Sequence, residues 1–197
     1  MVRNDGVQEK CRKVVRAPKD SKGRPIGAIP GITDPVRYLR CVIDEVLRLD
    51  SIVSRPMPRV PDNNDESMDL TLPGGETVSS QGAGLVVYSY ALHNSPANWE
   101  NPTAFDPDRH LARVNPASKL YYMPFSFGGR SCAGKDLALR EMQLVLEVLT
   151  EYHFSFEDEK MLTQDRRELQ RSSITMRPVD GLRMRVTKLE APIAPIH

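Results

Sequence analysis

The sequence predicts a mainly α fold with small β-sheets, an α+β arrangement, on three observations. Apolar residues recur at helical spacing over two long stretches, 34–49 and 133–152. Short alternating segments flank Pro-Gly-Gly and Pro-Val-Asp-Gly turns. Between the helices runs a stretch punctuated by prolines, 94–123, with little periodicity of either kind.

In chain order, residues 1–33 are polar, basic and broken by Gly and Pro, ending in "RPIGAIPGIT", and read as tail and linker with little helix. Asp34-Pro35 then supplies an N-cap and a favourable first helical residue, and Val36, Leu39, Ile43, Val46 and Leu47 follow at helical spacing. "MDLTLPGGETV" reads as two short strands around a tight turn. "GLVVYSYAL", residues 84–92, is rich in β-branched and aromatic residues and reads as a strand or buried segment. The second helix spans about Ala133 to Tyr152, with Ala138, Met142, Val145 and Leu149 on one face. "SSITMRPVDGLRMRV" alternates on both sides of Pro178–Gly181, which predicts a hairpin, and 191–197 reads as a second tail.

Composition narrows the function classes without naming one. Of 197 residues, 40% are apolar and 27% charged, with a formal net charge of +1, which offers no overall case for binding nucleic acid. Residues 1–25 hold eight Lys or Arg against three Asp or Glu, a cluster that reads as a solvated tail. Cys11, Cys41 and Cys132 are too widely spaced for a zinc pair. The chain has neither a signal-peptide block nor a transmembrane run, so as written it is expected to be soluble and cytoplasmic.

The stretch "MPFSFGGRSCAGKDLALREM", residues 123–142, sets Cys132 after a glycine-rich bend where the second helix begins. Backbone N–H groups and the positive end of a helix dipole favour the thiolate form of a cysteine placed there, and Arg130 adds a fixed positive charge. Gly128, Gly129 and Gly134 leave room for a flat or bulky group to approach the sulfur. Three readings follow: a small buried residue at a helix start, a catalytic thiol, or a thiolate metal ligand. A catalytic thiol wants a histidine base, and His93, His110, His153 and His197 lie in no recognisable cysteine-enzyme context.

The string Phe125-x-x-Gly128-x-Arg130-x-Cys132-x-Gly134 resembles the haem-binding signature of the cytochrome P450 monooxygenases in every fixed position. Upstream, Glu45-Val46-Leu47-Arg48 is similar to that family's Glu-x-x-Arg pair, and Pro107-Asp108-Arg109-His110 to its Pro-Glu-Arg-Phe segment. The resemblance implies that Arg109 completes a cluster with Glu45 and Arg48, which would pin the meander beside the cysteine loop. Arg59, in "RPMPRV", stands where the family sets an arginine against a haem propionate, and two arginines, Arg59 and Arg130, suit an anionic porphyrin edge. His93 also sits at a family landmark, with no role assigned.

The resemblance runs from Asp34 to Glu190 and is to the C-terminal, proximal portion of a eukaryotic, membrane-type member. It implies haem b with Cys132 as the axial iron ligand, flanked by Phe125, Gly128 and Gly134. It also implies electrons from NADPH through a reductase partner, oxygenation of an apolar small molecule, and the endoplasmic reticulum membrane for full-length relatives. Ser51–Pro58 and Arg171–Ile174 occupy stretches where the family touches substrate.

Three departures accompany it. The chain is less than half the family's usual length, without the distal helix whose acidic residue and Thr deliver protons to oxygen; "GGETV", Gly74–Val78, mimics that pair but reads as a hairpin turn. "LRLDSIVSRP" lacks the proline usual close behind the leucine. Asp108 and His110 replace the commonest residues of their motif. A truncated, non-catalytic remnant therefore stands as the alternative to a monooxygenase portion, with a haem-free thiol enzyme third.

Overall fold

A computed structural model describes residues 4–18, 21, 34–53, 58–60, 69–80, 82–111, 121–165, 168–172, 175–179 and 181–190. Helix α1, Asp5–Arg16, packs on helix α2, Pro35–Leu49. A two-stranded antiparallel sheet follows, β1 (Leu70–Thr71) with β2 (Thr77–Val78), then helix α3, Ser89–Asn94. Short 3₁₀ turns at Pro107–His110 and Gly128–Arg130 lead to helix α4, Lys135–Leu149. Strand β3 (Tyr152–Phe156), helix α5 (Lys160–Thr163), and strands β4 (Gln170–Ser172), β5 (Met176–Pro178) and β6 (Met184–Lys188) complete the order.

Helix α2 is the centre of the molecule. Asp34 caps it by accepting from the Val36 N–H at 2.9 Å, and the Asp50 N–H closes its far end on the Val46 carbonyl at 2.8 Å. Tyr38, Leu39, Val42, Ile43 and Leu47 meet Cys11 and Val14 of α1 and Leu139 and Leu146 of α4 in one core. Val36 and Val46, expected on the same apolar stripe, lie at its exposed edge. Lys10 ties α1 to the meander and to α2: it meets the Asp108 carboxylate at 2.6 Å and sits over the Tyr38 ring.

Three expectations change. Over its described part, the segment 1–33 holds a twelve-residue helix rather than little helix. Its buried stripe is Gln8, Cys11 and Val14, and only one of those three is strongly apolar, so the hydrophobic pattern hides it. Gln8 spends its amide on β3, donating to the Phe154 carbonyl at 3.2 Å and accepting the Phe154 N–H at 3.4 Å. Residues 84–92 form neither a strand nor a buried run: Leu85 makes a single bridge with Arg59, Val86 and Val87 are exposed, and the chain enters α3 at Ser89.

The alternation around Pro178–Gly181 marks two strands that do not pair with each other. β5 pairs back with β4, Ser172 opposite Met176, whereas β6 joins β3, Phe156 opposite Met184. Alternation identifies a strand but carries no record of its partner. On α4, Leu139 and Leu146 are the buried residues, and Ala138, Met142, Val145 and Leu149 share one face, lining a groove with Val42, Ile43 and Val46 of α2. By contrast, Gly74 and Gly75 turn the chain between β1 and β2 as the sequence expects. No helix among the described residues is long and apolar enough to cross a membrane.

Candidate functional site

The cysteine loop is built by its own backbone. The Ser126 N–H donates to the Met123 carbonyl at 3.0 Å, Ser131 N–H to the Gly128 carbonyl at 3.0 Å, and Cys132 N–H to the Phe125 carbonyl at 2.9 Å. Ser126 and Gly128 both take positive φ, 64° and 77°, so the bend depends on a residue tolerant of the left-handed region. A Cβ at Gly128 or Gly129 would meet nothing within 4 Å, so the space over this bend is open. A Cβ at Gly134 would touch the Cys132 sulfur at 3.9 Å, so this glycine keeps the flank of the thiol bare.

Phe125 packs against the core and fixes the root of the loop, whereas Cys132 itself is exposed. Helix α4 begins at Lys135 with Gly134 as its N-cap, which puts Cys132 two residues ahead of that cap rather than at the helix start. Arg59, far upstream, reaches the same loop: its Nη2 donates to the Arg130 carbonyl at 3.1 Å and to Ser126 Oγ at 3.4 Å. The structure thus brings together Arg59, Phe125, Gly128, Arg130, Cys132 and Gly134. Of the stretches expected to touch substrate, 54–57 and 173–174 lie outside the described residues.

Behind the loop lies a buried ion cluster. Glu45 and Arg48, one helical turn apart on α2, are both fully buried and joined by two bonds of 2.8 Å. Arg109 Nε donates to the same carboxylate at 3.1 Å, the Asp106 N–H at 3.0 Å, and His110 Nε2 at 2.8 Å. Burial alone pushes the Glu45 carboxyl upward, but the bonds from Arg48, His110 and Asp106 outweigh it and hold the group down at about 2. Arg48 also donates to the carbonyls of His93 in α3 and of Pro102 and Ala104 in the meander, and Arg109 to that of Glu100. The cluster therefore ties the irregular chain to α2.

Two residues that carry this geometry went without a role in the sequence. His110 adds a charge-assisted donor to Glu45 where the family motif has an aromatic. His93, fully buried in α3, accepts the Met123 N–H on Nε2 at 2.9 Å. A lone histidine outside a metal or triad spacing gives no sequence signal for either bond.

Comparison with known proteins finds that the sequence model of the family described as "Cytochrome P450" matches residues 1–181. The chain is 30% identical over 186 residues to rat "Cytochrome P450 4A2", aligning 92% of this chain with 33% of that protein. It is 27% identical over 201 residues to mouse "Leukotriene-B4 omega-hydroxylase 3", covering 97% of this chain and 34% of that one. Against an Aspergillus niger "Cytochrome P450 monooxygenase orf2", identity is 41% over 108 residues. Among solved structures, a mutant cytochrome P450 heme domain superposes with a TM-score of 0.67 at 25% identity, covering 95% of this chain and 39% of that one. The chain spans about a third of the length of these rat and mouse relatives.

Proposed function

Because the chain belongs to the cytochrome P450 family, we propose that it is the proximal, haem-binding portion of a monooxygenase, with 34–190 as that portion and Cys132 as the axial ligand of haem b iron. The observation that carries this is the exposed Cys132 thiol at the end of a loop closed on Phe125, with Arg59 and Arg130 beside it.

The residues suit the group. Open space over Gly128 and Gly129 and the bare flank at Gly134 leave room for a flat macrocycle. The Phe125 ring roots the loop in the core so that the sulfur keeps its position. Arg59 and Arg130 supply cations for propionates, and Arg59 is held by its bond to the Arg130 carbonyl. When bound, a haem with thiolate ligation supplies oxygen activation and insertion of one oxygen atom into an organic substrate. The chain's own part is to ligate, to orient the propionates and, through Glu45, Arg48 and Arg109, to hold the loop and meander in register.

The reading extends to an apolar small-molecule substrate, one relative being named a leukotriene-B4 omega-hydroxylase, and to electrons delivered from NADPH by a reductase. It places the protein with its relatives at the endoplasmic reticulum membrane. Reconstitution with haem, followed by reduced carbon-monoxide spectroscopy, tests it. Wild type should give a thiolate-type Soret band and Cys132→Ser should not; the same non-thiolate spectrum from both would reject ligation by Cys132.

A further inference from the structure

The sequence departs from the family at Ser51, where a proline is usual close behind the helix, and the structure gives that serine a partner. Ser51 Oγ, buried, donates to the Leu47 carbonyl at 3.2 Å and lies 2.8 Å from His93 Nδ1. A hydroxyl whose one proton is spent on a carbonyl meets a neighbour only as an acceptor, so Nδ1 carries the hydrogen. At the other ring edge Nε2 faces the Met123 N–H at 2.9 Å, and an amide can only donate, so Nε2 is the bare lone pair. Both constraints select one neutral tautomer, Nδ1–H.

The backbone of the same residue is gripped separately: the His93 carbonyl accepts Arg48 Nη1 at 2.7 Å, which anchors it to the Glu45 cluster. Downstream, the Met123 carbonyl accepts the Ser126 N–H, and the carbonyl of Phe125, which adjoins Ser126, accepts that of Cys132. Hydrogen bonds joined by short stretches of backbone thus lead from the end of α2 through one imidazole to the cysteine.

We propose that His93 is a positioning residue for the cysteine loop, fixed by Ser51 as the Nδ1–H tautomer so that its Nε2 accepts the Met123 amide and sets where Cys132 stands. It rests on the reading of Cys132 as the haem ligand for its importance, but not for its geometry.

The test uses the whole chain, labelled with nitrogen-15, at neutral pH. Long-range proton–nitrogen spectra should show the His93 ring as the Nδ1–H tautomer. In His93→Phe, which keeps an aromatic ring but no acceptor, amide exchange at both Met123 and Cys132 should rise about tenfold, as expected for one lost hydrogen bond. His93→Gln, whose carbonyl oxygen can replace Nε2, should restore protection at both amides, while His93→Asn, which keeps only the donor toward Ser51, should not. If His93→Phe fails to fold, Ser51→Ala serves: with one of the two constraints gone the tautomer preference should weaken and Met123 exchange should quicken, and unchanged exchange at Met123 would overturn the proposal. An Nε2–H ring in the wild type overturns the proposal, as does a change confined to Met123 with Cys132 unmoved. None of these readouts needs haem, so a failure of Cys132 to bind haem would reject the functional reading and leave them standing. With haem bound, the fraction of thiolate-type spectrum should fall in His93→Phe and recover in His93→Gln.

Discussion

Glu45 shows how a single residue can hold irregular chain in place. Its two oxygens take donors from α2, from the meander backbone, from Arg109 and from His110, with no solvent access. Removing the charge strands Arg48 as an unpaired buried cation, so Glu45→Gln should cost about 3–5 kcal/mol in urea unfolding. The acid limb follows from the same bonds. The folded carboxyl titrates at about 2 against an ordinary 4.5, so the folded state binds fewer protons between those values. Its stabilisation is whole above about pH 4.5 and is lost as pH falls toward 2. Stability measured against pH should show that loss in wild type and lack it in Glu45→Gln. The thiols divide just as clearly. Cys132 is exposed, whereas burial pushes Cys11 up to about 11, and Cys41 is buried too. Alkylation in the folded state should modify Cys132 alone, and a Cys132→Ser chain should resist the reagent until unfolded. Cys132, Glu45, Arg48 and Arg109 were legible because fixed spacings announce them; His93 and His110 were not, since their partners lie tens of residues away.

At the scale of elements, helices whose boundaries are set by local chemistry were legible and those set by tertiary contact were not. Helix α2 carries its own start signal, and Asp34→Ala should cost about 1 kcal/mol by leaving the Val36 N–H uncapped, measurable by thermal or urea unfolding. Helix α1 has an uncapped start and a buried stripe that includes Gln8, so only its docking on α2 and β3 makes it pay to bury that face. The strands show the same division. β5 and β6 are readable as strands, yet β6 pairs with β3 on the far side of α5, β4 and β5, a partner that local alternation cannot name.

Taken as one molecule, the chain packs a single core between α1, α2 and α4 while leaving Leu137, Leu144, Val145 and Val148 exposed on α4. Such a face should bind a hydrophobic dye such as anilinonaphthalene sulfonate in the folded state. Replacing Leu144 and Val148 together by Glu should weaken that fluorescence; a folded wild type that leaves the dye dark would contradict the exposed face. The sequence by itself determined the family, the cysteine loop and the Glu45, Arg48 and Arg109 residues, because these rest on short fixed spacings and on local turn and capping chemistry. Only the tertiary structure decided that α1 is a helix, which strands pair, and that Ser51 and His93 join the end of α2 to the cysteine loop. Those outcomes depend on groups far apart in the chain satisfying one another's hydrogen bonds away from water, and no local pattern records such a meeting.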